Sequence, residues 1–530
     1  MVSSSRAVLL VLTLSIGSLL SAQQVDTFEL DEATIVQLQD WMANGRYSSR
    51  QLVERYLRRI EQLDRNGPQL RSIAEINPEA LAIAASLDEE RKTKGPRGPL
   101  HGIPIVIKDN IDTADRITTT AGSLALEGSI PSQDAFVVQK LRAAGAVIIA
   151  KTNLSEWANF RSTKSTSGWS ARGGQVKNPY ALDRNPCGSS SGTGTAIATN
   201  LASVGVGTET DGSVVCPSSV MGLVGIKPTV GRVSRSGIIP ISRTQDTAGP
   251  MARTVADAAA LLEAMIGRDP RDAATLVPGA ARAFDHRAAL DAGALKGARI
   301  GVARKRYFGY SPATDRVIEA AIADMKALGA VIVDPADIPT AAQLDDCELE
   351  VLLYEFKAGL NEYLGALPAE RKVRSLDALI AFNERERARE MPYFGQELFE
   401  TAQKKGPLTS AAYRTALATC RSRARKLGID AVVARHKLDA IVAPTVSPAW
   451  PTDLVNGDHY LGASSTPAAV AGYPNITVPA GDVFGLPVGV SFIGPAWSEQ
   501  RLVALAYAYE QKTRHRRPPR FLPTADLTPQ

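Results

Sequence analysis

Two short, wholly apolar runs constrain this chain more than any other feature. Ile103 to Ile107 is one, and Val147 to Ala150 is the other. Apolar runs of this length without alternation fit strands buried on both faces. Between them, Ala135 to Ala144 carries apolar residues at helical spacing. Strand, helix and strand in succession predict an α/β core. The alternation continues further on: 300–303 and 330–333 read as strands around another helix. Strand signals return at 439–443, 475–478 and 487–493, before a helix from Glu499 to Lys512. Residues 343–436 read as mostly helical and charged, an insertion between strands. Ahead of the core, 33–93 reads as helical. Ser48 and Gln51 have capping-box spacing there, followed by Leu52, Val53, Tyr56, Leu57 and Ile60. No repeat or low-complexity linker divides the chain, so one large domain with a helical insertion is expected.

Bulk properties exclude several classes. The 530 residues are 44% hydrophobic and 22% charged, an ordinary globular composition. A net charge of +5 from 60 basic and 55 acidic side chains is too small an excess to imply a nucleic-acid partner. The basic tail Arg514-His515-Arg516-Arg517 reads as a solvated end. Residues 1–22 read as a secretory signal: Arg6 supplies positive charge, Ala7 to Leu20 is apolar but short for a span, and Ser21-Ala22 offers small residues for cleavage. Leu20 is a poor residue for the −3 position, and an uncleaved anchor is the alternative. No later apolar run reaches spanning length, so residues 23–530 are expected as a soluble, secreted or periplasmic domain without membrane contact. Oligomeric state is not legible. Four cysteines are too few for a disulfide scaffold; Cys187 and Cys216 could pair or be packed thiols.

The chemistry-bearing stretches are three. "NPCGSSSGTG", 185–194, has no acid, base or metal ligand. It lacks the Lys-Ser/Thr pair that closes a phosphate loop. It fits the G-x-S-x-G pattern, but the residues before it are polar and hold two prolines where a nucleophile elbow needs a buried strand. "GTETDGSVVCP", 207–217, places glycines near Ser213, where successive backbone N–H groups could converge on an anion. "HGIPIVIKDNIDT", 101–113, ends an apolar run in Lys108. A lysine at the end of a buried strand can lose its proton and act as a base; a salt bridge to Asp109 or Asp112 is the competing reading. Of the five histidines, His101, His286, His436, His459 and His515, none has metal-pair spacing.

Together these stretches resemble the amidase signature family. Its pattern is a Gly-x-Pro-x-x-x-Lys-Asp strand, a Gly/Ser loop and a Gly-Thr-x-x-x-Gly-Ser turn, here Gly102 to Asp109, 188–192 and 207–213. "AKTNLSEWA" (150–158), "GIKPTVGRVSRSG" (225–237), "DTAGPMAR" (246–253), "AGYPNITVPAG" (471–481) and "GLPVGVSFIG" (485–494) also match, so the resemblance covers nearly the whole chain after residue 22. The runs "LLYEFKAGL", "FGQEL" and "AYAYEQKTR" are further similar to those of the family's bacterial peptide amidases. The resemblance implies an α/β fold with a large mixed β-sheet covered by helices on both faces, with its signature core at about 100–270. It implies a Ser-Ser-Lys triad with Ser213 as nucleophile, Lys108 as base and Ser189 as the bridging serine, which in the family follows a cis peptide bond, here Gly188–Ser189. Backbone N–H groups of Thr210, Asp211, Gly212 and Ser213 would form the oxyanion hole, with no metal or cofactor.

Two departures bear on substrate. Members that bind a free carboxylate commonly carry Arg two residues after the nucleophile, and here that residue is Val215. The family glycine before Gly212 is Asp211, whose carboxylate could repel an anion or bind an amine. The implied activity is hydrolysis of the C-terminal amide of peptides through an acyl-enzyme. Broader hydrolysis of small or aryl amides is the alternative, and a non-catalytic or amidotransferase-type assembly protein is a third.

Overall fold

In the computed structural model the described residues are 28–528. The signal read at 1–22 lies outside them. Thirteen strands are present: β1 Ile73–Ile76, β2 Pro104–Lys108, β3 Val147–Thr152, β4 Trp169–Ser170, β5 Gly174–Gln175, β6 Val204–Glu209, β7 Val224–Lys227, β8 Thr247–Ala252, β9 Arg299–Val302, β10 Val331–Val333, β11 Ala440–Pro444, β12 Asn475–Val483 and β13 Leu486–Ile493. β4 and β5 form a small ribbon. The other eleven make one mixed sheet in the order β1-β3-β2-β6-β8-β7-β12-β13-β11-β9-β10. β3, β2 and β6 run parallel, as do β11, β9 and β10, and the strands between them pair antiparallel.

Every residue of β2, β3 and β6 is buried, as the apolar runs predict for β2 and β3. Helices cover both faces of the sheet. Ser191–Ala198 packs on β2, β6 and β8, and Val255–Met265 packs on β6, β7 and β8. The first of these is built from small residues, and all eight are buried. That lets it lie close against the sheet: a Cβ on Gly207 of β6 would stand 2.7 Å from Ser190 Oγ.

One expectation needs correction. Residues 33–93 form three helices, Ile35–Ala43, Ser49–Ile60 and Ala80–Lys94, but β1 interrupts them at the sheet edge. Only Ile73 of its four residues is fully buried, so the strand leaves almost no periodic signature; its pairing with β3 is what defines it. The Ser48 capping box forms in both directions, with Ser48 N–H on Gln51 Oε1 at 2.9 Å and Gln51 N–H on Ser48 Oγ at 3.3 Å.

The insertion between β10 and β11 is helical as predicted, dominated by Asp345–Ala366 and Ala411–Ala424. A disulfide, Cys347–Cys420, ties those two helices together. Arg161 anchors the insertion to the core. It is fully buried and bridges Glu156 and Glu390, donating also to Glu390 O at 2.6 Å. Its guanidinium lies 4.4 Å from the Phe394 ring centroid. Glu390 in turn accepts from Leu124 N–H at 2.7 Å. Burial pushes the Glu156 carboxyl well above its ordinary range, against the pull of Arg161. Removing the arginine would strand buried acids, which typically costs about 3–5 kcal/mol. Arg161→Ala is therefore expected to lose that much in chemical denaturation, while Arg50→Ala, at an exposed surface pair, changes stability by under about 1 kcal/mol.

Candidate active site

The site is assembled at the carboxyl ends of β2 and β6. These strands are parallel neighbours, with Ile107 opposite Val206, so their last residues come together. Lys108 ends β2 with no solvent exposure. Its Nζ lies 2.7 Å from Ser189 Oγ, 2.9 Å from Thr208 Oγ1 and 3.3 Å from Thr208 O. Asn110 Nδ2 donates to the same Thr208 hydroxyl at 3.0 Å. Burial pushes the Lys108 amine down to about 7, against the opposing pull of Asp246 and Glu209. The alternative salt bridge does not form: Asp109 pairs with Arg172, and Asp112 accepts from Tyr363.

The three adjacent serines of the Gly/Ser loop are separated by their partners. Ser189 faces Lys108, Ser190 Oγ donates to Thr208 O at 3.1 Å, and Ser191 Oγ donates to Cys187 O at 2.6 Å. The Gly188–Ser189 peptide bond is cis. The segment is neither a flexible linker nor an elbow after a strand, since all three serines are buried and the third begins a helix.

Ser213 sits on the turn after β6, 8% exposed. Its carbonyl accepts from Ser190 N–H at 3.2 Å, and the disulfide Cys187–Cys216 joins the two serine-bearing segments. Among the described residues Ser213 Oγ has no hydrogen-bond partner, Ser189 Oγ included. The turn holds its backbone in an unusual state. Gly212 has φ +79°, which side-chain-bearing residues rarely adopt. Val214 and Val215 N–H groups donate to Glu209 Oε2 at 2.8 and 3.0 Å. The N–H groups of Thr210, Asp211, Gly212 and Ser213 find no acceptor among the described residues. Successive unpaired N–H groups in a turn form an anion cradle.

The departures look different in place. Asp211 turns its carboxylate to Thr466, whose Oγ1 donates at 2.7 Å. Val215 is 1% exposed, so it is packed inside rather than lining an open cleft. Sequence reading passed over Thr208, Asn110 and Glu209. Thr208 and Glu209 stand inside the Gly-Thr-x-x-x-Gly-Ser stretch, and Asn110 follows Lys-Asp, but nothing local reveals their contacts. Among the described residues one group has metal-binding spacing, Glu263, Asp285 and His286, on other elements; there His286 bonds Glu263.

The family model "Amidase" matches residues 51–503. The chain belongs to the amidase family. Like its relatives it is a hydrolase of amide C–N bonds. A probable amidase of Arabidopsis thaliana is 41% identical over 526 residues, covering 96% of each chain. The crystal structure of native peptide amidase from Stenotrophomonas maltophilia superposes with a TM-score of 0.89 at 52% identity, covering 93% of this amidase and all of that chain. That of an amidase family protein from Bacillus anthracis superposes with a TM-score of 0.84 at 38% identity, covering 93% of each chain.

The buried amine makes a stability prediction. Its pKa in the folded amidase, about 7, lies below the unfolded value of 10.5. Between these values the unfolded chain binds more protons, so this site makes stability rise with pH. In Lys108→Met that contribution disappears. The variant is expected to be more stable than the parent at pH 7, with the gain shrinking as pH rises towards 10.5, read by urea denaturation at each pH.

Proposed function

We propose that this amidase hydrolyses the C-terminal amide of peptides to a free acid and ammonia, by a Ser-Ser-Lys relay and an acyl-enzyme. The observation that carries the reading is a fully buried Lys108 amine 2.7 Å from Ser189 Oγ, beside four unpaired N–H groups at Ser213. A neutral amine has two N–H groups and a lone pair. With both N–H groups on Thr208, the lone pair faces the Ser189 hydroxyl.

In this mechanism Ser213 Oγ attacks the amide carbon. Its proton passes to Ser189 Oγ as the Ser189 proton passes to Lys108 Nζ. Among the described residues no hydrogen bond holds the Ser213 side chain elsewhere, so it is free to turn towards Ser189, a bond of the kind that tightens only with substrate bound. The tetrahedral oxyanion enters the cradle of 210–213, where one such donor is typically worth about 3–4 kcal/mol. Its collapse breaks the C–N bond, and the relay returns the proton to the leaving nitrogen, which departs as ammonia. Water then attacks the ester with the same relay as base, releasing the acid and restoring Ser213.

The peptide-amide substrate rests on the likeness to peptide amidase. Val215, packed inside, supplies no cation for a substrate carboxylate, which would be costly to bury unpaired, whereas a neutral CONH₂ is not. The small-amide alternative remains an arm of the test. Export by residues 1–22 is part of the proposal: all four cysteines are paired, which suits an oxidising compartment.

Incubation with amidated dipeptides, simple and aryl amides, free glutamine and free-acid peptides, read by mass spectrometry, is expected to show loss of the terminal amide alone. Free glutamine consumed as fast as an amidated dipeptide would rule out the substrate assignment. Ser213→Ala and Lys108→Ala are each expected to lower kcat by on the order of 10⁵-fold with the fold kept. In the parent, kcat/KM is expected to fall about tenfold per unit below pH of about 7, as the Lys108 amine takes up its proton.

A further inference from the structure

Beside Thr208 lies a small pocket of about 10 Å³, walled by Asn110, Thr208, Glu209, Thr210, Arg235 and Asp246 among others. Two of these carry buried oxygens, Asn110 Oδ1 and Glu209 Oε1, without a donor among the described residues. Thr208 is the hydrogen-bond partner of Lys108, and Thr210 carries the first N–H of the cradle. Asp246 supports the second of these. Its Oδ1 accepts from Thr210 Oγ1 at 2.6 Å, and its Oδ2 accepts from Ile241 and Ser242 N–H at 2.9 and 2.8 Å.

We propose that Asp246 is a positioning residue for amide hydrolysis: it holds Thr210 in the cradle and presents a negative charge towards Lys108, whose partner Thr208 shares the wall of this pocket. The assignment rests on the relay described above.

The charges around the pair are few. Glu209 reaches Lys108 from the end of β6, and Asp109, Asp112 and Lys151 stand beside β2 on its other side. Arg235 faces Asp246, while Glu355 holds the Ser242 hydroxyl at 2.5 Å and Glu348 reaches Gln245 Nε2 at 2.7 Å. Burial pushes the Asp246 carboxyl up to about 6, which leaves it ionised above neutrality. Asp246 is the first of the two acids that hold the Lys108 amine up against burial. Its charge therefore keeps the amine from falling too low in pKa to serve as a useful proton acceptor.

Asp246→Asn removes the charge and keeps an oxygen that can accept from Thr210. Thr210→Val removes the hydroxyl and keeps the charge. Both are compared with the parent by following phosphonylation of Ser213 by a fluorophosphonate, with loss of fluoride, from pH 5 to 9, with melting curves as the check on folding. The acid limb of the rate is expected to move down by about one pH unit in Asp246→Asn, because loss of a nearby anion lowers an amine's pKa. In Thr210→Val the limb stays in place and the rate falls at least about tenfold, as befits a displaced cradle donor. Asp246→Glu keeps the charge and is expected to leave the limb where the parent has it. Should Asp246→Asn not fold, Asp246→Ser also removes the charge, and the position of the limb is read in it instead.

A limb unmoved in folded Asp246→Asn, or parent-like phosphonylation of Thr210→Val, overturns the assignment. Ser213→Ala separates this failure from that of the relay. If it is phosphonylated at the parent rate, the relay falls and the assignment with it. If it is inert while the limb of Asp246→Asn stays put, the Asp246 assignment alone is wrong.

Discussion

The burial of the Lys108 amine is the constraint around which the site is arranged. An ammonium at the end of a wholly buried strand loses its hydration and meets only the neutral oxygens of Ser189 and Thr208 at hydrogen-bonding distance. Desolvation therefore works against the charged form, and two carboxylates nearby work for it. The balance puts the amine at about 7, where it can both take and release a proton. Neither effect alone would do this: full desolvation gives an amine too weakly basic, and a close carboxylate gives a permanent ion pair. Among the described residues Lys108 has no direct salt bridge, and the adjacent Asp109 is held by Arg172.

A second arrangement depends on Glu209. Placed one residue before the turn, its carboxylate takes the N–H groups of Val214 and Val215. That pins the start of the short helix Val215–Val220 to the end of β6, while the four N–H groups between find no acceptor among the described residues. Unpaired donors held in place need no reorganisation when charge develops, which is what makes such a cradle effective. The disulfide Cys187–Cys216 restrains the same region from the other side, joining the Ser189 loop to the helix that follows Ser213.

The helical insertion is coupled to this core through side chains rather than through the sheet. Helix Asp345–Ala366 sends Glu355 to Ser242 and Thr244, and Glu348 to Gln245. These residues lie on the loop that carries Asp246, whose carboxylate holds Thr210. Arg161 secures the far side of the insertion through Glu390. Packing of the insertion thus bears on the turn, although no insertion strand enters the eleven-stranded sheet.

Much of the fold was legible in the order of residues. Apolar runs marked β2 and β3, because a strand buried on both faces admits almost nothing else, and strand signals marked β9 to β13, whereas β6, β7 and β8 were read only as parts of motifs. Capping at Ser48 was legible because it is closed within one turn. Motif residues pointed to Lys108, Ser189 and Ser213. The edge strand β1 was not visible, since a half-exposed strand of four residues has too little pattern to stand out from the helices on either side. Nor was the pairing of the cysteines, nor the packing of Val215 out of the cleft. The sequence by itself determined which segments are buried and which residue types the site has to work with, for those depend on local periodicity and short motifs. Only the tertiary structure decided how near that serine stands to the lysine, which hydroxyl supports it and which carboxylates oppose its desolvation. Lys108 is 81 residues from Ser189 and 100 from Thr208; contacts that distant are set by sheet order and strand register, which no local pattern encodes.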